Sequence, residues 1–147
     1  MSVKKVLRPY DAFVLDASVT LSWFFDDEFN EYAKSVRNSL EIAAAFSPSI
    51  WILEVANSLL MGERRKRATE AQTTEFSLLL LSLPIVVDEQ ADNFVRGNIL
   101  SLARQHNLSA YDASYLELAA RRGLALATLD RRLQTAAKKA GIALFKP

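Results

Sequence analysis

Four acidic residues, Asp16, Glu54, Asp112 and Asp130, occupy apolar surroundings where a carboxylate is unusual. Asp16 ends the run Ala12-Phe13-Val14-Leu15, and Glu54 interrupts Ile50-Trp51-Ile52-Leu53 and Val55. Asp112 opens Tyr111-Asp112-Ala113-Ser114-Tyr115-Leu116, and Asp130 follows Leu126-Ala127-Thr128-Leu129. A charge among apolar neighbours is costly unless something compensates it. Oxygen donors without histidine or cysteine beside them suit a hard cation such as magnesium or manganese. If the four converge, two unit charges about 4 Å apart repel by roughly 4 kcal/mol at an effective dielectric of about 20. A divalent cation between them reverses the sign of that term.

Each acid also has a structural reading. Asp16 and Asp130 stand where an aspartate caps a following helix. Ser109 to Asp112 has the spacing of a capping box, with Asp in place of Glu, yet Asp112 shares a helical stripe with Leu116, Ala119 and Ala120. Glu54 groups on a helical wheel with Asn57, Ser58 and Met61, away from Trp51, Val55 and Leu59, which predicts a solvent-facing glutamate.

The elements that must position these groups alternate strand and helix. A strand is expected at about 12–16, helices at about 17–25 and 28–45, and a short strand at Phe46-Ser47. Pro48 then suits a helix start. That helix runs to about Lys66, and another covers about 69–82. Pro84 breaks it, and Ile85-Val86-Val87 reads as a buried strand. Helices follow at about 89–105 and 109–122, with Gly123 as a C-terminal stop. Leu124 to Thr128 is a strand, 131–140 a helix ended by Gly141, and Ile142-Ala143-Leu144 a last strand. Short, continuously apolar strands separated by helices indicate a parallel sheet covered on both faces. Ligands of such sheets bind beyond the carboxyl ends of the strands, where Asp16 and Asp130 fall.

Composition narrows the alternatives. The chain has 147 residues, half of them hydrophobic, and a net charge of +1. That is one globular domain, 1–147, without repeat or linker. Cysteine is absent, which excludes disulfides, zinc–thiolate sites and a thiol nucleophile, and fits a reducing cytoplasm. Lys4 and Lys5 are followed by Arg8, Pro9 and Asp11, so no secretory signal is expected. The apolar run Phe76 to Val87, interrupted by Ser77, Ser82 and Pro84, is too short to span a bilayer, and a soluble protein is expected. The single histidine, His106, sits in Arg104-Gln105-His106-Asn107 and reads as an exposed helix-end residue. Ser18 reads as a helix-start hydroxyl bonded to backbone. No glycine-rich phosphate loop is present. The basic runs Arg64-Arg65-Lys66-Arg67 and Arg131-Arg132 read either as solvated helix ends or as phosphate contacts. Trp23, Phe24 and Phe25 read as core before base-stacking platform. Leu78 to Leu81, Trp23 to Phe25 and Trp51 over-supply apolar surface for so small a domain, as a partner surface would.

Four segments carry a family likeness: Phe13-Val14-Leu15-Asp16-Ala17-Ser18, Pro48 to Asn57 around Glu54, Leu108 to Leu116 around Asp112, and Leu126-Ala127-Thr128-Leu129-Asp130. In order, spacing and apolar context they resemble the PIN-domain family, and closely the VapC toxins of toxin–antitoxin pairs. The resemblance implies a three-layer α/β/α sandwich and a Mg²⁺- or Mn²⁺-dependent endoribonuclease. It implies Asp16 and Asp112 as principal metal ligands, Glu54 and Asp130 completing the acidic pocket, and Thr128 orienting a carboxylate or a metal-bound water. It also implies an RNA substrate, a cognate antitoxin and a homodimer. Two other classes stay open: a catalytically silent PIN-fold RNA-binding or scaffold domain, and an α/β phosphatase with Asp16 as nucleophile. The second Asp usual two residues after a phosphatase's first is here Ser18.

Overall fold

The computed structural model describes residues 12–90 and 92–147. Its elements are β1 (Ala12–Leu15), α1 (Ala17–Ser22), α2 (Glu31–Ser39), β2 (Ala44–Pro48), α3 (Ile50–Arg64), α4 (Glu70–Ser82), β3 (Ile85–Asp88), α5 (Asn93–His106), α6 (Ala110–Arg122), β4 (Ala125–Ala127) and α7 (Arg131–Lys139). A short 3₁₀ turn covers Asp26–Glu28.

The four strands form one parallel sheet in the order β3-β2-β1-β4. Central β1 pairs Val14 with Phe46 of β2 on one side and with Leu126 of β4 on the other. Phe13, Val14, Leu15, Leu126 and Ala127 are fully buried, which explains why these strands read as continuous apolar runs rather than alternating ones. Helices flank the sheet: α6 packs on β1, β2 and β4 and pairs with α5, while α1 packs with α2 and α3. All strands run the same way, so their carboxyl ends share one edge, marked by Leu15, Pro48, Asp88 and Ala127.

Local chemistry sets the helix limits. Thr69 and Gln72 cap α4 reciprocally, Asn30 caps α2 and Asp92 caps α5. Gly123 ends α6 in the left-handed conformation, φ 64°, which costs glycine nothing.

Three expectations need correction. The helix at 28–45 ends at Ser39, and Ala44–Pro48 is a strand; Ser39 and Asn38 carbonyls accept the N–H groups of Ala43, Ile42 and Glu41 in a closing turn, and the alanines then serve a buried strand. Pro48 closes β2 instead of opening α3, whose N-cap is Ser49. Ile142 to Leu144 adds no strand, only a parallel bridge from Leu144 to Leu126, with Phe145 stacked on Phe13 at 4.0 Å between ring centroids. Among the described residues no helix is long and apolar enough to cross a membrane. Lys4, Lys5, Arg8, Pro9 and Asp11 lie outside the described residues.

Candidate functional site

Asp16 follows β1 directly, and its N–H donates to the Ala127 carbonyl of β4 at 3.0 Å. The residue occupies the N-cap position of α1 but makes no side-chain cap bond. Its Oδ2 instead accepts from Ser18 Oγ at 2.5 Å and from Thr128 Oγ1 at 2.7 Å. The capping reading of Asp16 therefore fails. Ser18 does more than bond to the local backbone: besides gripping the carboxylate, its oxygen accepts from the Leu129 N–H. Thr128 Oγ1 likewise accepts from the Asp130 N–H. The two hydroxyls thus lock the β1–α1 corner to the β4–α7 corner, with Asp16 only 5% exposed between them.

Asp130 caps α7 as expected, Oδ1 accepting from the N–H groups of Arg132 and Leu133. Its other oxygen accepts nothing among the described residues. Asp112 lies in the first turn of α6, where Ser109 Oγ accepts the Asp112 N–H at 3.0 Å; the cap is real. Leu116 and Ala119 of its stripe are buried, but Ala120 is exposed.

Glu54 is not the solvent-facing residue its wheel position predicts. Tyr115, fully buried on α6, donates its hydroxyl to Glu54 Oε1 at 2.7 Å. A second chain braces the same helix: Trp51 Nε1 donates to Thr20 Oγ1, which donates to the Asp16 carbonyl. Ser47, wholly buried, donates to the Leu15 carbonyl at 2.7 Å. Tyr115, Ser18, Thr20 and Ser47 escape pattern reading because single hydroxyls in apolar helices and strands look like any other core residue.

The acids act on one another electrostatically. Burial pushes the Asp16 carboxyl up; the Ser18 and Thr128 bonds oppose this, and the charges of Asp112 and Asp130 add to it. Burial also raises Glu54, against the Tyr115 bond and helped by Asp16 and Asp112. Asp112 is raised by burial and by Asp130, with Ser109 and Arg132 pulling the other way. Four separate segments therefore bring negative charge to one region at the carboxyl edge of the sheet. Among the described residues, however, no three acidic or histidine side chains are close enough to enclose an ion.

The remaining singled-out residues divide. Trp23 donates to the Ala33 carbonyl and Phe24 and Phe25 pack edge to face, so that stripe is core, as is Trp51. Arg67 lies over the Phe25 ring and pairs with Asp27. His106, expected to be exposed, is partly buried, and its Nε2 is buried without a hydrogen-bond partner.

Fold and site together define an α/β domain with an acidic centre at the carboxyl edge of a parallel sheet. The chain belongs to the PIN domain family, whose model matches residues 13–139. PIN domains are generally nucleases. A sequence comparison with curated proteins finds no match. Among solved structures, the chain is similar to PAE2754 from Pyrobaculum aerophilum, 25% identical, TM-score 0.63, covering 85% of this chain and 86% of that one. It shares its fold with VapBC2 from Rickettsia felis bound to a DNA fragment from their promoter (11% identical, TM-score 0.65, 91% and 97% covered). FitAcB from Neisseria gonorrhoeae is similar in fold too, 20% identical, TM-score 0.52, with 92% and 97% covered.

Proposed function

We propose that the chain is a metal-dependent endoribonuclease acting in the cytoplasm as the toxin of a type II toxin–antitoxin pair. The observation that carries the reading is the mutual influence of Asp16, Glu54, Asp112 and Asp130, drawn from four distant segments into one region, with Asp16 buried and the other three partly buried. A structural role gains nothing from gathering like charges; a cation site requires it. The donor set is oxygen throughout, which fits Mg²⁺ or Mn²⁺. Asp16 and Asp112 would hold the ion, with Glu54 and Asp130 in support. When bound, the ion supplies a water of lowered pKa and positive charge for a phosphate oxygen.

The chain's own residues do the positioning. Ser18 and Thr128 fix Oδ2 of Asp16, and among the described residues nothing donates to its Oδ1. Tyr115 orients Glu54. The α7 N-terminus holds one oxygen of Asp130 and leaves the other for a ligand. RNA would be held chiefly through its phosphates, by basic side chains around the pocket.

The toxin–antitoxin complexes among the structural neighbours support an antitoxin partner. An Arg or Lys from such a partner entering the acidic region would replace the cation's charge. A complex that leaves Asp16 and Asp112 open to solvent would contradict that inhibitory mode. The exposed apolar residues of α3 and α4 support a homodimer.

One observation favours the silent-scaffold reading: the acids do not already enclose a common point. Manganese titration by calorimetry separates the two readings. The decisive test is expression of the parent chain beside Asp16→Asn and Asp112→Asn, with growth recorded and RNA ends mapped. Growth arrest by the parent alone, with 5′-phosphate and 3′-hydroxyl ends, is the expected result. A harmless parent that cuts nothing with Mg²⁺ or Mn²⁺, or 2′,3′-cyclic phosphate ends, overturns the reading.

A further inference from the structure

Between the C-terminus of α5 and the exposed side of α7 lies a cavity of about 500 Å³, lined in part by His106, Asn107, Arg131, Arg132, Thr135 and Lys139. Three full cations face it, and among the described residues none of its lining is acidic. Another cavity, about 620 Å³ near Phe24, differs in kind: Asp26, Asp27 and Glu75 outnumber its one arginine, Arg67. An unneutralised basic lining is an anion site by its electrostatics.

Three further observations make it more than a solvated helix face. Among the described residues Arg131 and Lys139 have no ion-pair partner, in contrast to Arg67, Arg121 and Arg122. The Nε2 of His106 is buried with no partner among the described residues, and a buried polar nitrogen left unpaired is costly. An acceptor oxygen at Nε2 removes that cost when the nitrogen carries its hydrogen. Finally, the cavity adjoins the acidic centre. Arg132, held by the Asn107 carbonyl, acts electrostatically on Asp112. Arg131 also lines a neighbouring cavity that contains Thr128 and Lys146 and, among the described residues, again no acid.

We infer that the α5–α7 cavity is a phosphate subsite, in which Arg131, Arg132 and Lys139 hold a backbone phosphate of single-stranded RNA flanking the bond to be cut, with His106 Nε2 reaching one of its oxygens. The inference rests on the ribonuclease reading for its ligand, but on the cavity alone for its chemistry. Phosphate contacts position a strand without reading its sequence, so the subsite sets the register of the RNA against the acidic centre and leaves base choice to other groups.

The probe is a labelled twelve-nucleotide single-stranded RNA of mixed sequence, titrated with the full chain in EDTA at stepped salt. Arg131→Gln with Lys139→Gln is expected to weaken binding at least tenfold. Each lost phosphate contact lowers the slope of log K against log salt by about 0.7 for a single strand, so loss of this one phosphate lowers it by up to about 0.7. Arg64→Gln with Arg65→Gln removes equal charge at the end of α3 and is expected to change neither quantity by as much. His106→Gln is expected to weaken binding a few-fold at unchanged slope. If the parent binds and cuts RNA, yet the two charge-matched pairs weaken binding equally, the subsite is overturned and the nuclease reading stands. If the parent cuts nothing with Mn²⁺ but the Arg131/Lys139 pair alone loses the oligonucleotide, the subsite stands and the nuclease reading falls. A parent that binds no RNA at low salt overturns both.

Discussion

At the scale of single residues, the instructive contrast is between two buried aspartates with opposite electrostatics. Asp16 is held above its ordinary value by burial and by its acidic neighbours. Burial would raise Asp88 as well, but the guanidinium groups of Arg121 and Arg122 bond to it and win, so its carboxyl lies below the ordinary value. The linkage signs follow. Burying Asp16 costs stability, a cost absent below the unfolded value near 3.8, growing as pH rises from there, and complete once pH passes the folded value. Asp16→Asn in EDTA is therefore expected to melt higher than the parent at pH 7, with the gain shrinking to nothing as pH falls below 4. Asp88→Asn reverses this: a lower melting temperature at pH 7, and a loss that fades as pH falls through the folded value. Thermal scans of both variants across pH check the pair, and an Asp16→Asn protein less stable than the parent at pH 7 without metal refutes the first. Thr128 gives a separate test. Thr128→Val keeps the shape and deletes the donor to Asp16 Oδ2. Loss of such a supporting bond typically costs 10–100-fold in metal affinity. Calorimetry with Mn²⁺ reads it directly, and unchanged affinity would show that Asp16 needs no such grip.

At the scale of elements, α6 joins the acidic centre to the rest of the sheet. Asp112 opens it, Tyr115 holds Glu54 of α3, and Glu117 and Arg121 tie its last turns to Asp88 at the end of β3. Arg122, over the Phe46 ring at 4.3 Å, braces the same end. Arg121→Met leaves Glu117 and Asp88 buried and short of their main partner. Breaking a buried pair costs about 3–5 kcal/mol, and the water that still reaches Arg121 places the expected loss near about 3 kcal/mol by urea titration. A loss below about 1 kcal/mol would mean that the network does not pin the helix. This element also shows what the sequence made legible. The run 110–122 reads as a helix from its stripe and from Gly123, and Asp112 stands out because an acid on an apolar stripe is conspicuous. Strands β1 and β4 read equally well, since full burial turns them into short apolar runs; β3 is where a strand was expected, but it lies at the sheet edge with Val86 exposed instead of buried. The 28–45 segment misled because Ala43-Ala44-Ala45 suits a helix by propensity, and only pairing with β1 and β3 makes Ala44–Pro48 a strand. Glu54 misled because a wheel describes one helix and cannot show that Tyr115 of another comes to meet it.

At the scale of the whole molecule, the question is what covers the apolar surface that this small core does not use. Phe25 and Trp51 are buried and Trp23 packs partly buried against the core, so the excess concentrates elsewhere. Leu53 on α3 is 66% exposed, and Leu78 and Leu81 on α4 are 62% and 82% exposed. Ile52 and Leu60 of α3 and Val86 of β3 are exposed as well. Between α3, α4 and β3 runs a groove of about 300 Å³ whose lining includes Trp51, Ile52, Val55, Leu59, Leu80 and Leu81, without a charged residue. Scattered apolar residues are ordinary on a protein surface, but a continuous patch marks an interface. Each leucine removed from water contributes up to roughly 1.5–3 kcal/mol, so a few buried together can hold two copies against the entropy of association. A second copy on this face leaves the carboxyl edge of the sheet, with its acids, free for substrate. Sedimentation of the parent at micromolar concentration is then expected to show a dimer, with a melting temperature that rises with protein concentration. Leu53→Asp with Leu81→Asp, both largely exposed in the single chain, is expected to give a folded monomer whose melting temperature no longer depends on concentration. A parent that sediments as a monomer at every concentration would assign the apolar face to a different partner, and the antitoxin would be the first to test against it.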